Sequence, residues 1–357
     1  MSVKSRLRKT TMACLRLAGI FHFFRFVNRK KIVILVAHSV MNESESTQWT
    51  PLRKSIPTRV LEEQISLLSK YYNWVTIDEA VAMIAGDQQP VKNSIAITFD
   101  DGYTNNMTHA LPILKRHGVK PVFYIPTAFL NSKEPFWFNR MDYILQCETE
   151  PYVIEAGGRS FEFDPTDRRK LSRSFKELRS FMKSKDWSDH ELHRFIDDTC
   201  DRLERECEDS LQANLADDPW CSTMSEDSLR DLSTKNLATI GSHTVNHTRL
   251  DKVSAEECDA ELSRSKTILE NIIGTPCNHF CYPNGAIDPT ARALVEKNGY
   301  GSAVTSFEGL NDSGDDVFSL RRIHLPTKFD GPALLSELCG LSYLLNKLRP
   351  TRRRQSA

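Results

Sequence analysis

The sequence predicts an α/β protein whose strands run parallel beneath an outer layer of helices. Short apolar runs rich in β-branched residues recur along the chain, and an amphipathic helical stretch follows most of them. This rhythm breaks only between Pro135 and Trp220. Strands joined through helices require right-handed crossovers, so such alternation favours a parallel sheet with helices outside. About six such units suffice to close a barrel, although pattern alone leaves an open sheet allowed.

The elements follow in order. "KIVILVAHSV", residues 31–40, is a buried strand, and "IPTRVLEEQISLLSKYY" from Ile56 has helical spacing with Thr58 as its cap. "SIAITFDDG" is the next strand, "ALPILKRHG" a helix closed by Gly118, and "VKPVFYIPT" a strand. Then "YVIEAGGRSFEFD" reads as a hairpin turning at Gly157 and Gly158, followed by two highly charged helices, "DRRKLSRSFKELRSFMKSK" and "DHELHRFIDDTCDRLERECE". Charge runs on helices are usually solvated faces, so this insertion reads first as a helical cap and alternatively as a substrate lid. The alternation resumes with helix "SEDSLRDLS", strand "LATIG", helix "SAEECDAELSRSKTILENIIG", strand "NHFCYPNG", helix "DPTARALVEKNG", and strands "YGSAVT" and "FSLRRIHLP" before a last helix. The organisation expected is an arm over 1–31, a main unit over 32–341 with an insertion at about 139–220, and a tail over 342–357.

The 47 Lys and Arg residues balance 47 Asp and Glu, but the basic charge is concentrated at both ends of the 357-residue chain. No acid precedes Glu43, whereas nine basic residues do, and after Glu337 the only charged residues are Lys347, Arg349, Arg352, Arg353 and Arg354. That pattern points to an anionic surface, and a membrane fits better than nucleic acid. "LAGIFHFF" is too short to span a bilayer and lacks a cleavage site. Leu15, Ala18, Phe21, Phe23, Phe26 and Val27 suggest instead an interfacial apolar face flanked by Arg16, Arg25 and Lys30. A basic helix packed on the domain is the plainer alternative. Nine cysteines without a CxxC pair argue against a disulfide framework and for a reducing compartment. The expected location is cytoplasmic, peripheral on the inner membrane face.

Two stretches carry chemistry. His243 and His247 in "GSHTVNH" are four apart, one above the other if that segment is a helical turn, and two imidazoles plus a carboxylate make a recurrent divalent-metal site. The acid is available in "ITFDDG". If the strand ends at Asp100, Gly102 lets the departing backbone turn Asp101 back toward the same side. Alone, HxxxH is common on surfaces and DDG is commonly a turn; their combination at strand ends is the signal. Spacing leaves the two acids interchangeable.

With "TFDDGY", "GSHTVNH" and "FCYPNG" in this order, and "ALPILKRHGVKPVFYIPT" between the first two, the chain resembles the polysaccharide deacetylases, the chitooligosaccharide deacetylase homologues of carbohydrate esterase family four, over residues 32–138 and 221–340. The resemblance implies a distorted (β/α)7 barrel and metal-dependent hydrolysis of an N-acyl group from an amino sugar; joined to the basic termini and the cysteine usage, it gives the expected function as removal of an N-acetyl group from an N-acetylhexosamine unit of a polysaccharide or lipid-linked saccharide precursor. It implies Asp100 as general base and Asp101, His243 and His247 as metal ligands. Zinc is preferred on ligand type, and cobalt, nickel or manganese are accepted by the same set. It maps the oxyanion donor to the Asn284 N–H, the site wall to Tyr282 and Pro283, with Tyr103 and His38 as further substrate-side residues. Two departures stand out. The arginine that orients the base in the better-studied branch is replaced here by Cys281, so Arg321 or Arg322 is expected to substitute. The general acid maps loosely to His324, an imidazole expected to titrate near neutrality. Deformylation or other N-deacylation of a lipid-linked amino sugar, and a non-catalytic saccharide-binding barrel, are the competing readings.

Overall fold

The computed structural model describes residues 19–45, 49–132, 134–205, 218–341 and 343–344. Twelve strands are present among them: β1 (Val33–Ala37), β2 (Val40–Met41), β3 (Ile56–Pro57), β4 (Asn73–Trp74), β5 (Ser94–Phe99), β6 (Val122–Ile125), β7 (Tyr152–Ala156), β8 (Arg159–Phe163), β9 (Thr239–Ser242), β10 (His279–Cys281), β11 (Ser302–Glu308) and β12 (Leu320–His324). Seven of them close a parallel barrel in the order β1, β12, β11, β10, β9, β6, β5 and back to β1. Strand β4 pairs with the start of β5 on the edge that β6 takes further along.

Period-two alternation sorts the barrel residues. Ile34, Ala96, Val122, Tyr124, Cys281, Val304 and Leu320 share one buried cluster inside the barrel. Val33, Leu35, Ile95, Ile97, Phe123, Ile240 and Phe280 face the surrounding helices in another. Helix Ile77–Ala85 adds Ile77, Ala80, Met83 and Ile84 to the interior cluster and so closes the barrel floor. The apolar and helical runs in the sequence do not single out this helix, although its capping box, Thr76 with Glu79, is a legible start signal. Thr58 is corrected from cap to first helical residue: the capping position of helix Thr58–Leu68 is Pro57, which offers no side-chain acceptor.

The described part of the 139–220 region, with the residues just before it, is a folded layer with its own core. Helix Trp137–Ile144, hairpin β7–β8 and helices Arg168–Ser184 and Asp189–Glu204 enclose Met141, Ile144, Phe161, Phe163, Phe175, Leu178 and Ile196. The hairpin turns at Gly157 and Gly158, both with positive φ. The proposed arm falls partly outside the described residues, including Leu15, Arg16 and Ala18. Helix Ile20–Val27 divides the aromatic face expected of it: Phe21 is buried, whereas Phe23, Phe26 and Val27 are exposed. Arg25 lies 4.9 Å over the Tyr71 ring, against the body of the protein. Among the described residues no helix is long and apolar enough to cross a membrane.

Candidate active site

The site forms where the barrel strands end. Ala96 and Thr98 point inward from β5, and Asp100 continues that row. Alternation would send Asp101 outward, but Asp101 (φ 71) and Gly102 (φ 63) both adopt the left-handed conformation and swing the second carboxylate back inside. At Gly102 a Cβ would meet Ile125 Cδ1 at 3.0 Å, so this turn is both left-handed and tight. The two histidines follow β9, but the segment that carries them is an irregular loop rather than the helical turn expected, because Thr244 (φ 68) and His247 (φ 59) are also left-handed. Glu261 from helix Ala255–Ile273 holds that loop, accepting from the backbone N–H groups of Val245 and Asn246 at 2.8 and 3.0 Å and from Asn246 Nδ2 at 2.7 Å. Of the seven non-glycine residues with positive φ among the described residues, Asp101, Thr244 and His247 lie on these two loops and Asn284 on the turn after β10. Backbone strain of about 1–3 kcal/mol each is therefore concentrated where the functional side chains are aimed.

Asp101, His243 and His247 bring their ligand atoms within 4.8 Å of one another, all three side chains buried. Asp101 Oδ1 lies 3.7 Å from His243 Nε2 and 3.5 Å from His247 Nε2. Such spacings suit three atoms around one cation, since ligands at about 2.0–2.2 Å in tetrahedral array stand roughly 3.3–3.6 Å apart. His243 Nδ1 donates to the Cys281 carbonyl at 2.7 Å, which fixes the tautomer and leaves the Nε2 lone pair facing Asp101. Burial, reinforced by the neighbouring His247, lowers the His243 pKa to about 4, so the ring is neutral and able to ligate. Burial works to raise the Asp101 pKa, but His247 and the other facing imidazoles outweigh it and hold the carboxyl well below its usual range. The residues present therefore fit a divalent metal.

Asp100 has a different partner. Arg322 from β12 reaches across the barrel interior with Nη1 2.7 Å from Oδ1 and Nη2 2.8 Å from Oδ2. The same guanidinium donates to Thr98 Oγ1, the Thr305 carbonyl and Cys281 Sγ. Burial opposes ionisation of Asp100, yet the charge and hydrogen bonds of Arg322 prevail and its pKa falls to about 2. A second trio, Asp100, His243 and Cys281, is also close-set. It does not make a ligand set: Arg322 occupies Asp100, and burial pushes the Cys281 thiol far up, keeping it neutral. The Cys281 sulfur instead accepts from Arg322 Nη2 at 3.3 Å, so the cysteine and the arginine expected to substitute for its family counterpart lie in contact.

The remaining expectations divide. Arg321, one residue out of phase on β12, faces away and pairs with Asp315 at 2.8 Å, so of the two arginines Arg322 is the one that reaches Asp100. Tyr282 is corrected: it is buried in the outer cluster beside Phe280 and donates to the Phe318 carbonyl at 3.1 Å, so it lines no open wall. Tyr103 is likewise buried, with its hydroxyl bonded to Asn139 Oδ1 at 3.2 Å, and supports the wall from behind. Pro283 is buried, and Asn284 stands exposed at the turn after β10 with φ 57. His38 Nε2 is 3.9 Å from Asp100 Oδ2, and its ring stacks on His324 at 6.1 Å. Although the His324 ring keeps solvent access, the protein crowded around it and then the facing His38 lower its pKa to about 4, which corrects the expectation of titration near neutrality. Sequence reasoning missed Glu261, and it missed Phe136 and Phe138, whose rings pack edge-on against His247 at 5.9 and 5.6 Å. Through these two the segment that leads into the insertion forms one side of the site.

Comparison with known proteins agrees with this architecture. The family model for polysaccharide deacetylases matches residues 87–303, more than half of the chain. That span includes Asp100, Asp101, His243 and His247 but ends before Arg322 and His324. The Bacillus subtilis (strain 168) protein YxkH, which carries the same family name, is 20% identical over 304 residues, covering 85% of this chain and 74% of that protein. Among solved structures, the Streptococcus pyogenes deacetylase PplD in complex with acetate aligns with TM-score 0.55 at 16% identity, covering 87% of this chain and 99% of that one. IcaB from Ammonifex degensii aligns with TM-score 0.55 at 16% identity, covering 87% and 97%. The similarity to these structures is one of fold. Deacetylases of this family generally use a divalent metal. The chain belongs to the polysaccharide deacetylase family and is a hydrolase of carbon–nitrogen bonds other than peptide bonds.

Proposed function

We propose that the protein removes an N-acetyl group from an N-acetylhexosamine unit of a glycan or lipid-linked saccharide, with Asp100 as base and Asp101, His243 and His247 as metal ligands. The observation that carries this is the division of two adjacent carboxylates between unlike partners, Arg322 for one and two imidazoles for the other. The ion, zinc before cobalt, nickel or manganese on ligand type, supplies Lewis acidity toward the acyl carbonyl and the attacking water.

The chain's own groups do the rest. Asp100, ionised and held in plane by Arg322, accepts the proton released as water attacks. The Asn284 N–H, on a left-handed turn at the strand ends, is the candidate donor to the developing oxyanion. His324 enters neutral, so it can protonate the leaving amine only after taking up a proton within the site. Phe136 and Phe138 exclude water from the His247 side.

The test is release of acetate from a panel of N-acetylated amino-sugar oligomers and lipid-linked saccharides by metal-loaded protein, with formylated analogues in parallel. Acetate release that stops in Asp100→Asn supports the reading. Absence of both acetate and formate across the panel, with the metal bound, would overturn it.

A further inference from the structure

The largest apolar exposure lies away from the catalytic loops. Phe23, Phe26 and Val27 are 62, 62 and 57% exposed, the highest values among the large apolar side chains of the described residues. All three stand on helix Ile20–Val27, at a spacing that places them on one side of it. Exposed apolar residues scattered singly are ordinary, but three together form a patch. The helix is held from behind. Phe21 is buried in the outer core with Leu335 and Cys339, and Asn28 Nδ2 donates to the Cys339 carbonyl at 2.9 Å. These contacts seat the helix against Gly331–Leu338, the last helix but for the residues that follow Gly340. There the Leu344 N–H donates to the Gly340 carbonyl at 3.2 Å, and Tyr343 and Leu344 are again exposed.

Charge of one sign gathers on the same part of the molecule. From Gly19 to Asn42 the chain carries Arg25, Arg29, Lys30 and Lys31 and no acid. The Arg29 guanidinium lies 4.0 Å over the Phe26 ring, so cation and exposed aromatic share one spot. Lys31 pairs with Asp312 at 3.4 Å, whereas Arg29 and Lys30 form no ion pair among the described residues. Five further basic residues precede Gly19 and five follow Leu344, again without an acid. Both basic segments therefore join the body through this pair of helices, although they lie at opposite ends of the sequence. The place is remote from the site. The Arg29 carbonyl accepts from the Asn93 N–H at 2.6 Å, immediately before β5 begins, and Asp100 follows the other end of that strand. The helix thus ends at the strand-start side of the barrel, about 20 Å along β5 from the carboxylates.

We propose that this face docks the protein onto an anionic lipid bilayer, with Phe23, Phe26 and Val27 entering the headgroup boundary and the surrounding cations meeting lipid phosphates. An apolar helix face and polybasic segments are two signals that together give stable surface binding where either alone is marginal. Charge decides among the occupants. A second copy seated face to face would bring like cations together. A nucleic acid would match the cations but leave Val27 and Leu344 in water. Docking at the strand-start side leaves the strand ends open, so the bilayer holds the enzyme without covering its site. The proposal concerns attachment and is independent of which acyl group is removed.

The experiment is flotation of the full-length protein with vesicles of phosphatidylcholine alone, or of equal parts phosphatidylcholine and phosphatidylglycerol. Wild-type protein should partition about tenfold or more in favour of the anionic vesicles, a preference that shrinks with added salt. Phe23→Ser/Phe26→Ser should lower that partitioning about tenfold, and Phe23→Trp/Phe26→Trp should restore it, because tryptophan favours the interface. Arg29→Gln/Lys30→Gln should lower it about tenfold on anionic vesicles and change nothing on neutral ones. Equal partitioning of the wild type and the serine variant, or no partitioning of the wild type onto anionic vesicles, overturns the proposal. So does a wild-type dimer that the serine variant converts to monomer, which assigns the face to a second copy. Loss of single-stranded RNA binding without loss of vesicle binding in the same variants assigns it to nucleic acid and likewise overturns it. Should the serine variant unfold, Arg29→Gln/Lys30→Gln decides: a lost anionic preference supports the proposal, and a retained one overturns it.

Discussion

Asp100 and Asp101 are adjacent in sequence and equally buried, yet they occupy two different half-sites. Asp100 continues the inward row of β5 and meets a guanidinium that saturates both its oxygens. Asp101 leaves the strand through a left-handed turn and meets two imidazoles spaced as around a cation. The comparison teaches that one backbone dihedral pair gives the two carboxylates different partners: without the φ of 71° at Asp101, alternation would point that carboxylate away from the first.

The largest effect that sharpens this contrast comes from Arg322. Arg322→Gln leaves the Asp100 carboxylate buried without its counter-charge, a change that typically costs about 3–5 kcal/mol of stability. Turnover should fall about 100-fold or more while metal content stays at the wild-type level. Arg322→Lys keeps the charge but not the two-pronged geometry, so it should fold better and remain well below wild type in kcat. Arg321→Gln is the internal control, because that side chain faces Asp315 outside the site. Wild-type kcat in Arg322→Gln would break the comparison.

A smaller effect separates the half-sites by pH. Folding lowers the His243 pKa from 6.5 to about 4, so between these values the unfolded chain takes up a proton that the folded one refuses. Stability of the metal-free protein therefore falls as pH drops through that window. Folding lowers Asp100 from 3.8 to about 2, so its contribution is complete above 3.8 and is lost as pH falls through about 2. Urea midpoints across pH should show that His243→Asn flattens the first decline and Asp100→Asn only the second. The reverse assignment would contradict the electrostatic division.

Much of the barrel was legible because buried parallel strands read as continuous apolar runs, and caps and glycines punctuated the helices between them. The four central residues were legible because each pair sits within a few positions in sequence. Their backbone was not: HxxxH has the period of a helix, and only the left-handed Thr244 and His247 make it a loop. Arg322 remained one of two because a run of two arginines does not say which faces inward. Glu261, Phe136 and Phe138 were beyond reach, since their roles come from tertiary contacts that no local pattern announces. His324 shows the same limit in chemistry, where packing moves its pKa away from the value its residue type suggests.

The central claim, that one carboxylate serves the proton and its neighbour the metal, is tested most directly by measuring divalent-metal content and deacylation together in Asp100→Asn and Asp101→Asn. The account predicts that Asp100→Asn retains about one ion per chain while losing turnover about 1,000-fold, and that Asp101→Asn loses both the ion and turnover. Loss of the metal from Asp100→Asn with retention by Asp101→Asn, or equal retention in both, would contradict it.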